Sequence, residues 1–359
     1  MSRGRVPEVA NEVRTSSGGA HAPAGSNPAP SAHQTTSTAC RLDDVARVVA
    51  IVNPAAGGDP HGLLDELQCA TPKSVHVDVE WTQGTGDAER IAAEHSCTPS
   101  TVVVAVGGDG TVREVAAGIH RACANAALLV APAGTGNSNY LGLWNDQPWP
   151  TVVHALYDGS LHLRSIDLAL IEDLDRIMLL GAGAGVIAQG LISARTLDGA
   201  GRSRLLQAAF DTLYSYPPHQ GRVIVDGRIL EAGEMLNVNV GGNRYRAGSF
   251  QLLPRSLVDD GLLDVSILRS CRDPLEPALL SMTGDIADHR AVVYGRGRRI
   301  TVERTDGEAL VFEHDGDVVP QQRFSYTISV LPAALRVAVP DPVPNCFSSN
   351  DVLTTTGPI

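Results

Sequence analysis

Three short glycine-bearing segments hold the residues best suited to handling a phosphate: Asn53-Pro-Ala-Ala-Gly57-Gly58, Gly107-Gly-Asp-Gly-Thr111 and Pro132-Ala-Gly-Thr-Gly-Asn137. Glycine lets the main chain approach a ligand and turn several N–H groups toward it, and a helix starting behind the loop adds positive partial charge. Asp109, inside the second segment, would repel a polyphosphate unless a divalent cation lay between them, so the pattern points to a nucleotide with Mg²⁺. Lys73 is the lone lysine, so backbone and arginine must do what a motif lysine does elsewhere. Eleven histidines without H-x-x-x-H spacing and six cysteines without a C-x-x-C pair give no sign of a zinc site or a disulfide framework.

The elements that must position these loops are legible from periodicity. Arg47–Val52, Thr101–Val106 and Ala127–Ala131 are continuous apolar runs that stop at the loops, as strands buried on both faces do. Val75–Trp81 alternates as a fourth strand, and Asp87 is placed to cap a helix from Ala88 to Glu94. Thr111 and Glu114 have the spacing of a capping box, which predicts a helix starting at the end of the second loop. Strands alternating with helices imply a parallel sheet, with ligands outside its carboxyl ends. After about Ile166 the texture changes to short strands separated by turns, with one helix near Arg204–Tyr214, and suggests an antiparallel sandwich or barrel.

Length and charge limit the rest. A chain of 359 residues is long enough for two domains, and its formal charge of -12 argues against a nucleic-acid partner. The start of the chain has no signal-peptide pattern, and no apolar run reaches membrane-spanning length, so the expectation is a cytoplasmic protein. Residues 1–40 and 341–359, rich in Ser, Pro, Gly and Thr, read as disordered tails.

The three loops, in this order and at these separations, resemble the catalytic domain of the diacylglycerol kinase and sphingosine kinase family of lipid kinases. The likeness extends over about residues 46 to 340 through Asn239-Val-Gly-Gly, Asp259-Asp-Gly-Leu-Leu-Asp264, His314-Asp-Gly-Asp317 and the closing strand Leu335–Pro340. It implies a nucleotide-binding α/β domain over 46–165, completed by a returning strand at 333–340, and an antiparallel β-sandwich substrate domain over 166–332. It also implies ATP and Mg²⁺ as cofactors. The ATP site would comprise Asn53, Pro54, Ala55, Ala56, Gly57, Thr82, Gly107, Gly108, Asp109, Gly110, Thr111, Val112, Arg113, Glu114, Gly134, Thr135, Gly136 and Asn137. Asp109 and Asp167 would belong to the Mg²⁺ network, and Asp260 would bind a structural cation with the carbonyls of Leu257 and Leu262. Asp315 would accept the proton of the lipid hydroxyl, with Asp317 beside it in place of the family's usual Glu. By itself Asp315-Gly316 reads as a hairpin turn. Ser138 and Ile187 also depart from positions that are often acidic in relatives.

The function expected on these grounds is phosphoryl transfer from ATP to a diacylglycerol or sphingoid-type hydroxyl, by an enzyme that visits the inner face of the membrane transiently. An NAD-kinase-like enzyme with a soluble acceptor and a non-catalytic nucleotide- or lipid-binding protein are the alternatives. Self-association into a homodimer is left open.

Overall fold

The computed structural model describes residues 40–41, 45–197, 201–248, 250–320 and 323–348. Four parallel strands form the first half of the molecule: β1 (Arg47–Val52), β2 (His76–Trp81), β3 (Thr101–Gly107) and β4 (Ala127–Pro132), in the order β2-β1-β3-β4. Val48–Val52 and Val102–Val106 are inaccessible to solvent, which explains their unbroken apolar sequence. Helices α1 (Pro60–Ala70), α2 (Asp87–His95), α3 (Asp109–Arg121), α4 (Ser138–Trp144) and α5 (Trp149–Asp158) fill the connections. The register pairs Val52 with Val106 and Gly107 with Pro132, so the three glycine loops leave the sheet side by side.

The second half is antiparallel. It contains β5 (His162–Ile171), β6 (Ala182–Gly185), β7 (His219–Val225), β8 (Arg228–Gly241), β9 (Leu263–Arg269), β10 (Val292–Gly297), β11 (Arg299–Arg304), β12 (Phe312–His314) and β13 (Ser325–Val339). β8 pairs with β6, β7 and β9, while β12 pairs with β6. β13 joins the halves. Its first part pairs with β11, its last part lies parallel to β4, and β5 follows it along most of its length with a register shift between Leu331 and Leu335. The architecture is therefore α/β with a parallel sheet first and an antiparallel, sandwich-like part second.

Several local expectations are corrected. The helix behind the second loop begins at Asp109 with Gly108 as N-cap and no side-chain cap. Thr111 and Glu114 thus lie inside α3 and make no capping box; their side chains serve long-range bonds instead. Asp87 is the first residue of α2 rather than its cap, and its carboxylate accepts the N–H of Gln83. Gly181–Gly185 leads into β6 and a helix the periodicity did not indicate, α6 (Val186–Ala194), which packs on α7 (Gly201–Ser215). The segment expected as a C-terminal tail is ordered as far as residue 348. Val343, Cys346 and Phe347 are buried in the first-half core, and Phe347 lies under the Arg164 guanidinium at 5.0 Å. Residues 1–39 and 349–359 lie outside the described residues.

Candidate active site

The glycine loops converge because small residues allow it. A Cβ on Gly57 would sit 2.7 Å from Thr135 Oγ1, and one on Gly134 would run into the Cα of Gly108, so first, second and third loops touch through backbone. Side chains then lock them. Asn53 Nδ2 donates to Thr111 Oγ1 at 3.1 Å while its Oδ1 accepts the N–H of Ala55. Asn137, with a left-handed backbone, accepts the Gly134 N–H and donates to the Pro132 carbonyl, closing the third loop on itself. Glu114 reaches out of α3 to accept the N–H of Gly86 at 2.9 Å.

In front of these loops lies a cavity of about 580 Å³. Asn53, Pro54, Ala55, Thr82, Gly110, Thr111 and Glu114 line it from the first half; Arg176, His314 and Asp317 close it from the second. Ala56, Gly57, Gly107, Gly108, Val112, Arg113, Gly134, Thr135 and Asn137 do not line it; Val112 and Arg113 are buried within α3, while Gly57 and Thr135 are exposed.

Asp109 and Gly136 face a second, mostly apolar cavity of about 340 Å³. Its sides are formed by Ile187 and Leu191 of α6, Leu206 and Phe210 of α7, and Leu268 of β9. Its polar end holds Asp109, Glu313, Asp315 and Arg246. Both Asp109 carboxylate oxygens accept N–H groups at the start of α4, from Ser138 at 3.1 Å and Asn139 at 3.0 Å. Burial holds the Asp109 carboxyl above the ordinary range, opposed by these bonds and helped a little by the charge of Asp315.

Asp315 is fully buried. Leu180 N–H donates to its Oδ1 at 2.6 Å and Leu179 N–H at 3.2 Å, while His314 Nδ1 lies 3.3 Å from Oδ2. Burial alone would raise this carboxyl, but the bond and charge of His314, the Arg113 guanidinium and the Leu180 N–H together hold it below the usual carboxylate range. It is an ionised acceptor at neutral pH. Beside it, buried Glu313 forms an ion pair with Arg246, whose guanidinium also donates to the Gly181 carbonyl. The segment 312–318 is the partition between the cavities: His314 and Asp317 face the polar one, Glu313, Asp315 and Gly316 the apolar one.

Two expected metal residues lie apart from this partition. Asp167 on β5 accepts N–H groups from Gly261 and Ala333, and the acidic neighbour acting on it is Asp259 rather than Asp109. Asp260 shares that turn with Leu257 and Leu262, and its carboxylate is bonded by Arg296. Among the described residues no three His, Cys, Asp or Glu side chains are grouped to hold a metal ion. Arg176, Arg246, Glu313 and His314 were not singled out for roles from sequence. Alternation across 313–315 could have flagged Glu313, but Arg176 and Arg246 carry no local signal.

Both parts of the fold have counterparts among known proteins. The diacylglycerol kinase catalytic domain family model matches residues 47–170, and the YegS C-terminal NAD kinase beta sandwich-like domain matches residues 180–339. A Pseudomonas aeruginosa protein named "Probable lipid kinase YegS-like" is 30% identical over 285 residues, covering 79% of this chain and 91% of that protein. An Escherichia coli protein named "Probable lipid kinase YegS" is 27% identical, covering 76% and 88%. The crystal structure of a diacylglycerol kinase from Bacillus anthracis superposes with a TM-score of 0.58 at 21% identity over 83% of this chain and 98% of that one, a likeness of fold.

Proposed function

Since the chain belongs to the YegS-like family of lipid kinases, phosphotransferases acting on an alcohol group, we propose that it transfers the γ-phosphoryl group of ATP to a lipid hydroxyl held in the apolar cavity. The observation that carries this reading is the partition: a polar cavity in front of the first two glycine loops and an apolar cavity share one wall, and Asp315 stands in it with its carboxyl held below the usual carboxylate range. ATP would lie in the polar cavity, with its phosphates toward Gly110, Thr111 and Arg176. Mg²⁺ bound with the nucleotide would neutralise charge as the phosphoryl group transfers. Its carboxylate partners would be Asp317, exposed in the polar cavity, and Asp109, which faces the apolar cavity and already accepts the α4 N–H groups.

The acyl part of the acceptor would occupy the space between α6 and α7, which places its hydroxyl at the polar end. There Asp315 accepts the hydroxyl proton as the oxygen attacks phosphorus. Leu179 and Leu180 N–H groups and His314 orient the carboxylate and hold its lone pairs in place. A hydrocarbon-lined acceptor cavity favours a diacylglycerol or sphingoid-type lipid over a soluble acceptor such as NAD. On this reading the enzyme meets its acceptor at the membrane surface; no described helix is long and apolar enough to cross a bilayer.

The test is ADP release with Mg·ATP across dispersions of diacylglycerol, sphingosine, monoacylglycerol and polyprenol, with NAD as a soluble control. Release dependent on one lipid supports the proposal. Release with NAD alone sinks it. In Asp315→Asn, turnover on the active lipid falls on the order of 10²- to 10⁴-fold, the span of general-base catalysis, while ATP binding persists.

A further inference from the structure

Asp259, Asp260 and Asp264 crowd the turn that enters β9, and Asp167 reaches the same turn from β5. Four carboxylates so close require positive charge or N–H donors. On three of them every oxygen has a donor. Asp167 accepts Ala333 N–H and Gly261 N–H, Asp259 accepts Ser348 N–H and the Arg164 guanidinium, and Asp260 accepts Leu262 N–H and the Arg296 guanidinium. The fourth, Asp264, is fully buried; Tyr294, Ser256 and the Arg244 and Arg255 guanidinium groups act on it, and Arg296 Nε lies 3.4 Å from its Oδ2. A divalent ion needs six or more oxygen ligands, or several with waters in near-octahedral order. Each Asp260 oxygen already holds a donor, and the one on Oδ2 is the Arg296 guanidinium, whose positive charge opposes a second cation there.

We infer that the guanidinium of Arg296 serves the Asp260–Asp264 pair as its cation, bridging the two in the position where the resemblance implied a structural metal ion at Asp260. The sheet delivers it. Arg296 on β10 is paired in register with Asp264 on β9, so its charge arrives from a fixed cross-strand neighbour rather than from solution. A guanidinium suits the task because its planar fork can bind two carboxylates and it never deprotonates. The turn it closes ties the two halves of the chain: Val258 N–H donates to Cys346, Asp167 N–H donates to Val258, and Arg164 carries the Asp259 pair into the buried junction.

The test uses nucleotide-free, full-length protein and is independent of activity. Metal analysis after dialysis against millimolar Mg²⁺ or Ca²⁺ should find no ion that Asp260→Asn removes, and the thermal midpoint should be the same in EDTA as in either ion. Arg296→Met should unfold several degrees lower, because it leaves two like charges facing each other, one of them buried. Arg296→Lys, which keeps the charge but loses the fork, should fall between. If Arg296→Met does not accumulate folded, Arg296→Lys and the metal content of the unaltered protein decide. A stoichiometric ion lost in Asp260→Asn, a midpoint lowered by EDTA, or arginine variants as stable as the parent would each overturn the inference.

Discussion

Asp315 and Asp317 are two positions apart and stand in different surroundings. In a continuous strand they would share a face, but Asp315 and Gly316 both take positive φ, at 50° and 88°, and the chain reverses so that His314 pairs with Asp317. The Asp-Gly pair is thus a hairpin turn and a candidate base at once. Its geometry buries one carboxylate against the apolar cavity and leaves the other exposed in the polar one. The same wall shows how a chain with a lone lysine could grip phosphates. Of the residues lining the polar cavity, Arg176 is the one with a permanent positive charge. Arg176→Ala should weaken ATP binding by on the order of tenfold, about 1.4 kcal/mol, while adenosine binds as before. Equal losses for ATP and adenosine, measured by titration calorimetry, would remove Arg176 from the phosphate site.

At the scale of elements, α6, α7 and the start of β7 build the apolar cavity and its neighbourhood. His219 opens β7, buried, with its ring edge-on to Tyr216 at 6.2 Å and neither nitrogen hydrogen-bonded. Burial, and then the charge of Arg304, push it down to about 4, with Asp306 opposing weakly. The folded value lies below the unfolded one of about 6.5, so the unfolded chain takes up the proton first as pH falls. Stability is therefore full above pH 6.5 and is lost as pH falls toward 4, by roughly 3 kcal/mol if this group acts alone. Urea unfolding at neutral pH and near pH 5 should show about 2 kcal/mol of that loss in the parent and a smaller one in His219→Phe. An equal loss in both would assign the pH dependence to other groups. Glu114 makes a related point: its sequence spacing suggests a local cap, but its carboxylate bonds Gly86 across the helix pair, where only packing of α2 on α3 could bring it.

For the molecule as a whole, the shared strand β13 and the ordered segment through Phe347 make the cleft a product of both halves. The mouth of the apolar cavity also has a distinctive surface. Ala278 and Ser281 line the cavity, and the adjoining Leu279 and Met282 are about half exposed. Exposed apolar side chains beside a lipid cavity suit contact with a bilayer surface, and the acidic composition offers little electrostatic attraction to anionic lipid. Leu279→Ser with Met282→Ser should reduce sedimentation with neutral phosphatidylcholine vesicles and raise the apparent KM for vesicle-borne acceptor, while leaving ATP affinity unchanged. Unaltered vesicle binding would place membrane contact elsewhere.

The sequence by itself determined the parallel half and its loops, because a strand buried on both faces must be apolar throughout and a backbone cradle must be glycine; both demands are local and leave a readable trace. By itself it marked Asp315-Gly316 as a hairpin turn, which the backbone is; a role for Asp315 came from the resemblance of the segment His314–Asp317 and not from its local pattern. Only the tertiary structure decided which residues stand in a cavity wall and which behind it, that Asp167 joins Asp259 and Asp260 instead of Asp109, and that Arg296 neutralises the turn. Those outcomes depend on strands brought into register from distant parts of the chain, and on buried carboxylates finding whichever donor or guanidinium the fold sets within reach. No spacing along the chain encodes such a meeting. The same holds for Val343–Phe347, whose Pro-rich surroundings suggest a tail until the first-half core provides a place to bury them.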